Sequence, residues 1–210
     1  MWTSSLPYEI ERYEVIIHTD NIPAMGYKTL TIRKKSDFDR KMIFWHDMRK
    51  FTGNELMKSV NTMENENLKV IVENNGTITM VDKLNKKTYR NLNYFEETGD
   101  HGDYWIYYPP YHNRTYNSLG ANAKIWYEEN GELSATIVAE ITMTVPKFGI
   151  KNENMVKGES KRSDEMTDIT IACYYTLTKD AKALKVKTVI NNTAQDHRMP
   201  NTTYGFRETV

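Results

Sequence analysis

The densest set of potentially reactive side chains lies in segment 96–112, which reads EETGDHGDYWIYYPPYH. It holds four carboxylates, two histidines and five tyrosine or tryptophan rings, and its Gly, Asp and Pro residues mark a loop. Such a mixture suits a sugar site, because a pyranose stacks its C–H face on a ring while carboxylates accept hydrogen bonds from its hydroxyls. The alternative is an aromatic strand pair with charged turns, and the residues alone leave both interpretations open.

Asp100 and Asp103 are the carboxylates in this segment that could be considered as a catalytic pair for glycoside hydrolysis. That reaction requires two carboxyl groups held roughly 5–9 Å apart on opposite sides of the scissile bond. Two residues three positions apart on a loop do not secure such a facing arrangement. We therefore predict that this chain contains no catalytic residue.

Histidines are scattered rather than clustered, at positions 18, 46, 101, 112 and 197. Zinc sites favour ligands grouped on one element, and only His101, between Asp100 and Asp103, has acidic neighbours. Adjacent residues on an extended loop point apart, so we predict no metal site. The triplet at 196–198, Asp-His-Arg, is predicted to orient a strand end through a salt bridge.

Composition excludes several classes of function. Lysine plus arginine equals aspartate plus glutamate at 28 each, so no net field attracts nucleic acid. No apolar run reaches the roughly 18 residues of a membrane span, and the first residues do not resemble a signal peptide. The single cysteine, Cys173, lies in an apolar run and is expected in the core. These features predict a cytoplasmic protein without disulfides.

The first third of the chain predicts a short β segment followed by a connection. Residues 8–18 and 27–33 have strand-like composition on either side of a turn at 22–26. We interpret 1–34 as the end of a small preceding β domain. Residues 35–62 are charged and irregular, and they are interpreted as a linker with a helix over 37–51.

From Leu68 onward the sequence predicts strands joined by short polar turns. LKVIV and TITMVD flank Asn-Asn-Gly, a strong hairpin signal, and further strand runs follow through ITIACYYTLT and ALKVKTVINN. Residues 147–168 are polar and are predicted to form a long loop. The fold class is thus all-β, a largely antiparallel sandwich over residues 63–210.

These phrases, in this order, resemble the C-terminal β-sandwich region of glycoside hydrolase family 38 α-mannosidases, most closely bacterial enzymes such as mannosylglycerate hydrolase. IPAMGYKTLTI resembles the phrase before that sandwich, and the run ending NNTAQDHRM resembles its later strands. The last residues, MPNTTYGFRETV, depart from the family pattern. Between the first and last of these segments, the phrases that match the family are Glu64-Asn65, Leu68 to Val72, Asn75-Gly76, Asp82-Lys83, Gly99 to Asp103 and Pro109-Pro110.

The resemblance implies part of a galactose-mutarotase-like supersandwich from a retaining, zinc-dependent α-mannosidase. In that family the zinc ligands and reacting carboxylates lie mostly in an N-terminal domain that opens with a His-x-His-x-Asp sequence, which does not occur here. We therefore expect a fragment that is inactive alone and holds no cofactor. Its implied partners are the missing catalytic domain and an α-mannoside or other carbohydrate.

The resemblance also implies a contact with the sugar. A tyrosine in the family's equivalent loop touches the bound sugar, and Tyr104 is the matching position by count from Gly102. Asp103 joins Tyr104 in the predicted substrate-binding set, and Trp105 and Tyr107 complete the set as the alternatives to Tyr104 if the alignment shifts by one or more residues. The competing interpretation is that Asp103 caps a turn while Tyr104 packs on the sheet.

Two other roles compete with that of an accessory domain. A free-standing carbohydrate-binding module would bind mannosides by itself. A purely structural sandwich would mediate oligomer contacts and form a stable homodimer.

Overall fold

The computed structural model describes residues 17, 19, 22–31, 55–103, 105–151 and 160–200. These residues form strands, turns and loops, and among them there is no helix that could cross a bilayer. The all-β prediction is therefore confirmed. The chain divides into two compact units, Met1–Arg49 and Lys50–Val210.

In the first unit the predicted turn is present. The Gly26 amide donates to the Pro23 carbonyl at 3.0 Å, and Met25 between them has a φ of 55°. Residues 27–31, predicted as strand, are exposed and form none. An alternating pattern marks two faces, but a strand also needs a hydrogen-bonded neighbour, which the pattern does not supply. The strand predicted over 8–18 and the helix over 37–51 fall outside the described residues, apart from Ile17.

A four-stranded antiparallel sheet forms one layer of the second unit, in the order β13-β12-β9-β8. Its two central strands pair along their whole length, from Met166 opposite Pro146 to Thr178 opposite Ser134. From Ile169 to Leu177 every second residue of β12 is buried, as its alternating sequence predicts. The bounds are β8 Lys124–Asn130, β9 Ser134–Pro146, β12 Met166–Thr178 and β13 Lys185–Asn191.

A five-stranded antiparallel meander, in the order β1-β2-β3-β4-β5, forms the other large sheet. The predicted hairpin at Asn75-Gly76 joins β3 to β4, with Gly76 at a φ of 82°. The turn after β4 is also confirmed, since the Asp82 carboxylate accepts hydrogen bonds from the amides of residues 84 and 85. The bounds are β1 Met57–Ser59, β2 Thr62–Glu64, β3 Leu68–Val72, β4 Ile78–Asp82 and β5 Lys87–Leu92.

The apolar faces of these two sheets share one buried cluster, to which Val70, Ile137, Ile171 and Tyr175 each contribute fully buried side chains. Cys173 lies in it as predicted, and burial raises the pKa of its thiol. The buried Tyr175 hydroxyl donates to the Gly76 carbonyl at 2.7 Å and accepts from Asn93. The layers are thus joined by hydrogen bonds as well as by apolar burial.

Asn65 gives a physical reason for the Glu-Asn phrase of the sequence. Its amide nitrogen donates to the carbonyls of Thr178 and Ala181 at 2.8 and 2.9 Å, and its oxygen accepts from the amides of Asn67 and Leu68. One buried side chain therefore ties the turn before β3 to the turn after β12.

Two boundaries differ from the sequence interpretation. The predicted linker, 35–62, overlaps the five-stranded sheet, because β1 and the start of β2 lie within it and Met57 is fully buried. The predicted loop, 147–168, contains β10, Gly149–Ile150, and β11, Lys161–Arg162, which pair with each other. Both differences arise where backbone pairing joins segments whose side chains show little hydrophobic period.

Candidate functional site

Segment 96–112 begins as a strand and continues as a loop. A three-stranded sheet, in the order β14-β6-β7, holds its base. In that sheet Gly99 lies opposite His197 and Glu97 lies opposite Tyr116. The bounds are β6 Glu96–Gly99, β7 Tyr116–Asn117 and β14 His197–Arg198. Residues far apart in sequence therefore fix the two ends of the loop.

A buried ionic cluster lies beneath the loop. The carboxylate of Glu97, with no exposed surface, accepts hydrogen bonds from the Arg162 guanidinium at 2.6 and 3.3 Å. His197 Nδ1 lies 3.3 Å from the same carboxylate, and Arg162 also donates to the Pro146 carbonyl. The predicted role of His197 in orienting a strand end matches this geometry, although its side chain is only 7% exposed.

His101 packs beside this cluster, in the first turn of the loop. Its backbone amide donates to the Tyr108 carbonyl at 2.8 Å, while neither ring nitrogen has a hydrogen-bond partner among the described residues. A Cβ atom at Gly149 would lie 2.0 Å from its Nε2, so the packing there requires glycine. Burial lowers the pKa of the imidazole, which keeps it neutral.

The two loop aspartates hold the backbone of the loop. Asp100 Oδ1 accepts from the amides of Gly102 and Tyr108 at 2.9 and 3.1 Å. Asp103 Oδ1 accepts from the amides of Trp105 and Ile106 at 2.8 and 2.9 Å, and these donors lower the pKa of that carboxyl. One oxygen of Asp103 therefore caps the turn, as one of the two sequence interpretations expected.

The large side chains of the loop differ in how much of their surface is exposed to solvent. Trp105 is 91% exposed, and Ile106 and Tyr111 are also largely exposed. Tyr107 is fixed from two sides, since the Arg198 guanidinium lies 4.5 Å from its ring centroid and Asn113 donates to its hydroxyl at 3.3 Å. Asp103, Trp105 and Tyr107 therefore lie on one loop, while Tyr104 is outside the described residues.

Sequence reasoning missed the residues that orient this loop. Asn113 exchanges hydrogen bonds with both backbone groups of Gly99, and Arg162 neutralises Glu97 from a position 65 residues away. One signal was available: Glu97 falls between Phe95 and Gly99 on the inward face of an alternating strand, and an inward charge requires a partner. The identity of that partner is not encoded locally.

The resemblance implies a zinc ion in another domain of the parent enzyme, and the residues described in this chain do not form a site for one. In the described ranges, no three histidine, cysteine, aspartate or glutamate side chains are grouped as a metal ion requires. The nearest concentration, around Glu97 and His197, includes the Arg162 guanidinium, which repels a cation. These residues do not fit zinc.

Comparison with known proteins identifies the sandwich. The chain is 31% identical over 204 residues to a putative mannosylglycerate hydrolase of Halalkalibacterium halodurans, covering 92% of this chain and 22% of that protein. A family 38 glycosyl hydrolase structure from Enterococcus faecalis matches 71% of this chain and 19% of its own, with a TM-score of 0.65 and 29% identity.

A second structure, described as an α-mannosidase from Enterococcus faecalis V583, gives a TM-score of 0.64 and 30% identity over 71% of this chain and 18% of its own. The chain thus spans about a fifth of the length of these relatives. The model of the glycosyl hydrolases family 38 C-terminal domain matches residues 63–203, two thirds of the chain. The chain belongs to the glycosyl hydrolase family 38 C-terminal domain family.

Proposed function

We propose that this chain is the non-catalytic β-sandwich portion of an α-mannosidase, supporting a catalytic domain and supplying part of its sugar-site wall. The observation that carries the proposal is the loop after β6, which exposes Trp105 and Tyr107 from a base held by buried charges. The Tyr107 ring is held by Arg198 and Asn113, and a ring in a fixed position can stack on a sugar without losing much conformational freedom on binding. Trp105 offers a second, exposed ring on the same loop.

Family membership supports a role for this chain as one domain of a larger glycosyl hydrolase. The relatives are glycosyl hydrolases several times longer than this chain, so a sandwich of this family occurs beside other domains. The free oxygen of Asp103 lies on the same loop as the rings, and its lowered pKa keeps it ionised to accept hydrogen bonds from hydroxyls. This arrangement supports including Asp103, Trp105 and Tyr107 in the proposed sugar contact, and Tyr104 is included on the resemblance alone.

Trp105→Ala tests the proposal in a protein that joins this sandwich to a family 38 catalytic domain. Loss of a stacking ring should raise KM for an α-mannoside by about three- to tenfold, with a smaller effect on kcat. Steady-state kinetics on a chromogenic α-mannoside measures both constants.

Trp126→Ala provides the matched control, because Trp126 is also an exposed tryptophan but lies on β8. It should leave KM unchanged. Equal effects of the two substitutions, or no effect of Trp105→Ala, would show that the loop does not contribute to the sugar site.

The cytoplasmic location and the homodimer remain predictions of the sequence.

A further inference from the structure

A polar cleft lies apart from the loop described above, and none of its lining residues belongs to segment 96–112. Its volume is about 530 Å³, within the usual range of roughly 300–1,000 Å³ for small-molecule sites. The turn between β3 and β4, the end of β5 and the segment around Gly120 form its walls.

A β-bulge shapes one wall of this cleft. Ile78 pairs with Leu92 and Met80 pairs with Tyr89, so two residues of β5, Arg90 and Asn91, lie opposite one residue of β4. Asn91 has a φ of 54°, a left-handed conformation that asparagine tolerates better than most residues. Bulges re-aim side chains, and both Arg90 and Asn91 line the cleft.

Several polar groups of the cleft are available to a ligand, although the side chains of Asn75, Thr77 and Thr79 are already hydrogen-bonded within the protein. Within the described ranges, the side chains of Asn74, Asn91 and Asn122 take part in no hydrogen bond, and Arg90 forms no ion pair. Glu73 uses one oxygen to accept the Thr79 hydroxyl at 2.6 Å, which leaves its second oxygen. A conformation that costs energy and presents several unused polar groups is typical of a binding surface.

The chemistry of these groups selects the ligand. Amide side chains both donate and accept, the guanidinium donates and the carboxylate accepts, which matches hydroxyl groups that do both. Arg90 and Glu73 have opposite formal charges, so the lining carries no net formal charge, which suits a neutral ligand. No aromatic ring lines it, and Leu119 at its rim offers a small apolar surface for a C–H face. We infer that this cleft binds a neutral sugar residue, separately from the loop after β6.

The test is an NMR titration of the whole chain with methyl α-mannopyranoside and methyl α-glucopyranoside, with glycerol as the non-sugar control. We expect saturable shifts of the Asn74, Asn91 and Asn122 side-chain amides with at least one glycoside and none with glycerol. Asn91→Gly preserves the left-handed backbone while removing the amide, and it should weaken binding about tenfold. Glu73→Gln should weaken it comparably, whereas Glu132→Gln, an exposed control outside the cleft, should not.

Trp105→Ala separates this inference from the proposed function. Binding at the cleft should survive that substitution. Shifts confined to the loop after β6 and lost in Trp105→Ala would overturn the cleft as a sugar site while supporting the proposed role of the loop. Absence of glycoside-dependent shifts at the three asparagines would overturn the inference whatever happens at the loop.

Discussion

Glu97 and Asp103 lie six residues apart in the same acidic stretch, yet their environments differ completely. Glu97 is fully buried and held by Arg162, whereas Asp103 is exposed and caps its own loop. The alternation of β6 separates them, since it directs Glu97 inward, while the loop that follows leaves Asp103 in solvent. Residue type alone therefore could not predict which carboxylate has a structural role and which is available to a ligand.

Removing the charge of Glu97 should destabilise the sandwich strongly. Glu97→Gln leaves the Arg162 guanidinium buried without a counter-charge, a loss we expect to cost about 3–5 kcal/mol. Glu165→Gln removes a carboxylate from an exposed pair with Lys147 and should cost less than about 1 kcal/mol. Urea unfolding of both variants checks the difference, and similar losses would show that the buried cluster is not a structural anchor.

His101 should make stability fall as the solution becomes acidic. Its folded pKa lies below the ordinary value of about 6.5 because burial disfavours the cation. Lys151 and Arg162 act in the same direction, while Asp196 and Asp100 oppose them. Below about pH 6.5 the unfolded chain therefore binds more protons than the folded chain, and the free energy of unfolding decreases.

The measurement is urea unfolding at pH 7.5 and pH 5.5 for the natural chain and for His101→Phe. Other groups titrate in both proteins, so the difference between the two losses isolates the imidazole. We expect the natural chain to lose more stability than the variant. An equal or greater loss in His101→Phe would contradict the burial argument.

At the scale of elements, periodicity predicted the strands that bury one face and missed those that do not. β9 and β12 largely alternate between apolar and polar residues, β3 is a short apolar run, and all three form where expected. β10 and β11 contain two residues each and pair through their backbones, which leaves no hydrophobic period to detect. The bulge at Arg90 was also invisible, because an extra residue in a polar strand changes the pairing without changing the composition.

The hairpin between β3 and β4 provides an element-scale prediction. Gly76→Ala places a side chain at a φ of 82°, with its Cβ 2.9 Å from Ile141, and should cost about 1–3 kcal/mol. Gly120→Ala should be neutral or slightly stabilising, because nothing lies within 4 Å of its Cβ. Thermal unfolding compares the two variants, and equal melting temperatures would mean that the turn tolerates a side chain.

At the scale of the whole molecule, the order of phrases carried more information than any single motif. The family was identifiable from the sequence because the phrases Asn75-Gly76 and Asp82-Lys83, which form the turns after β3 and β4, stand in the order on which the resemblance rests. The candidate site was predictable only as a loop with certain residue types. Arg162, His197 and Arg198 support this loop through contacts with residues far away in the sequence, and only folding brings these residues together.

Hydrolysis of a chromogenic α-mannoside by the pure chain, with and without added zinc, tests the account most directly. The α-mannosidase from Enterococcus faecalis serves as the positive control. We predict that product release in the presence of the chain equals that in buffer, because we propose that the reacting carboxylates belong to another domain. Release that rises in proportion to chain concentration would contradict it.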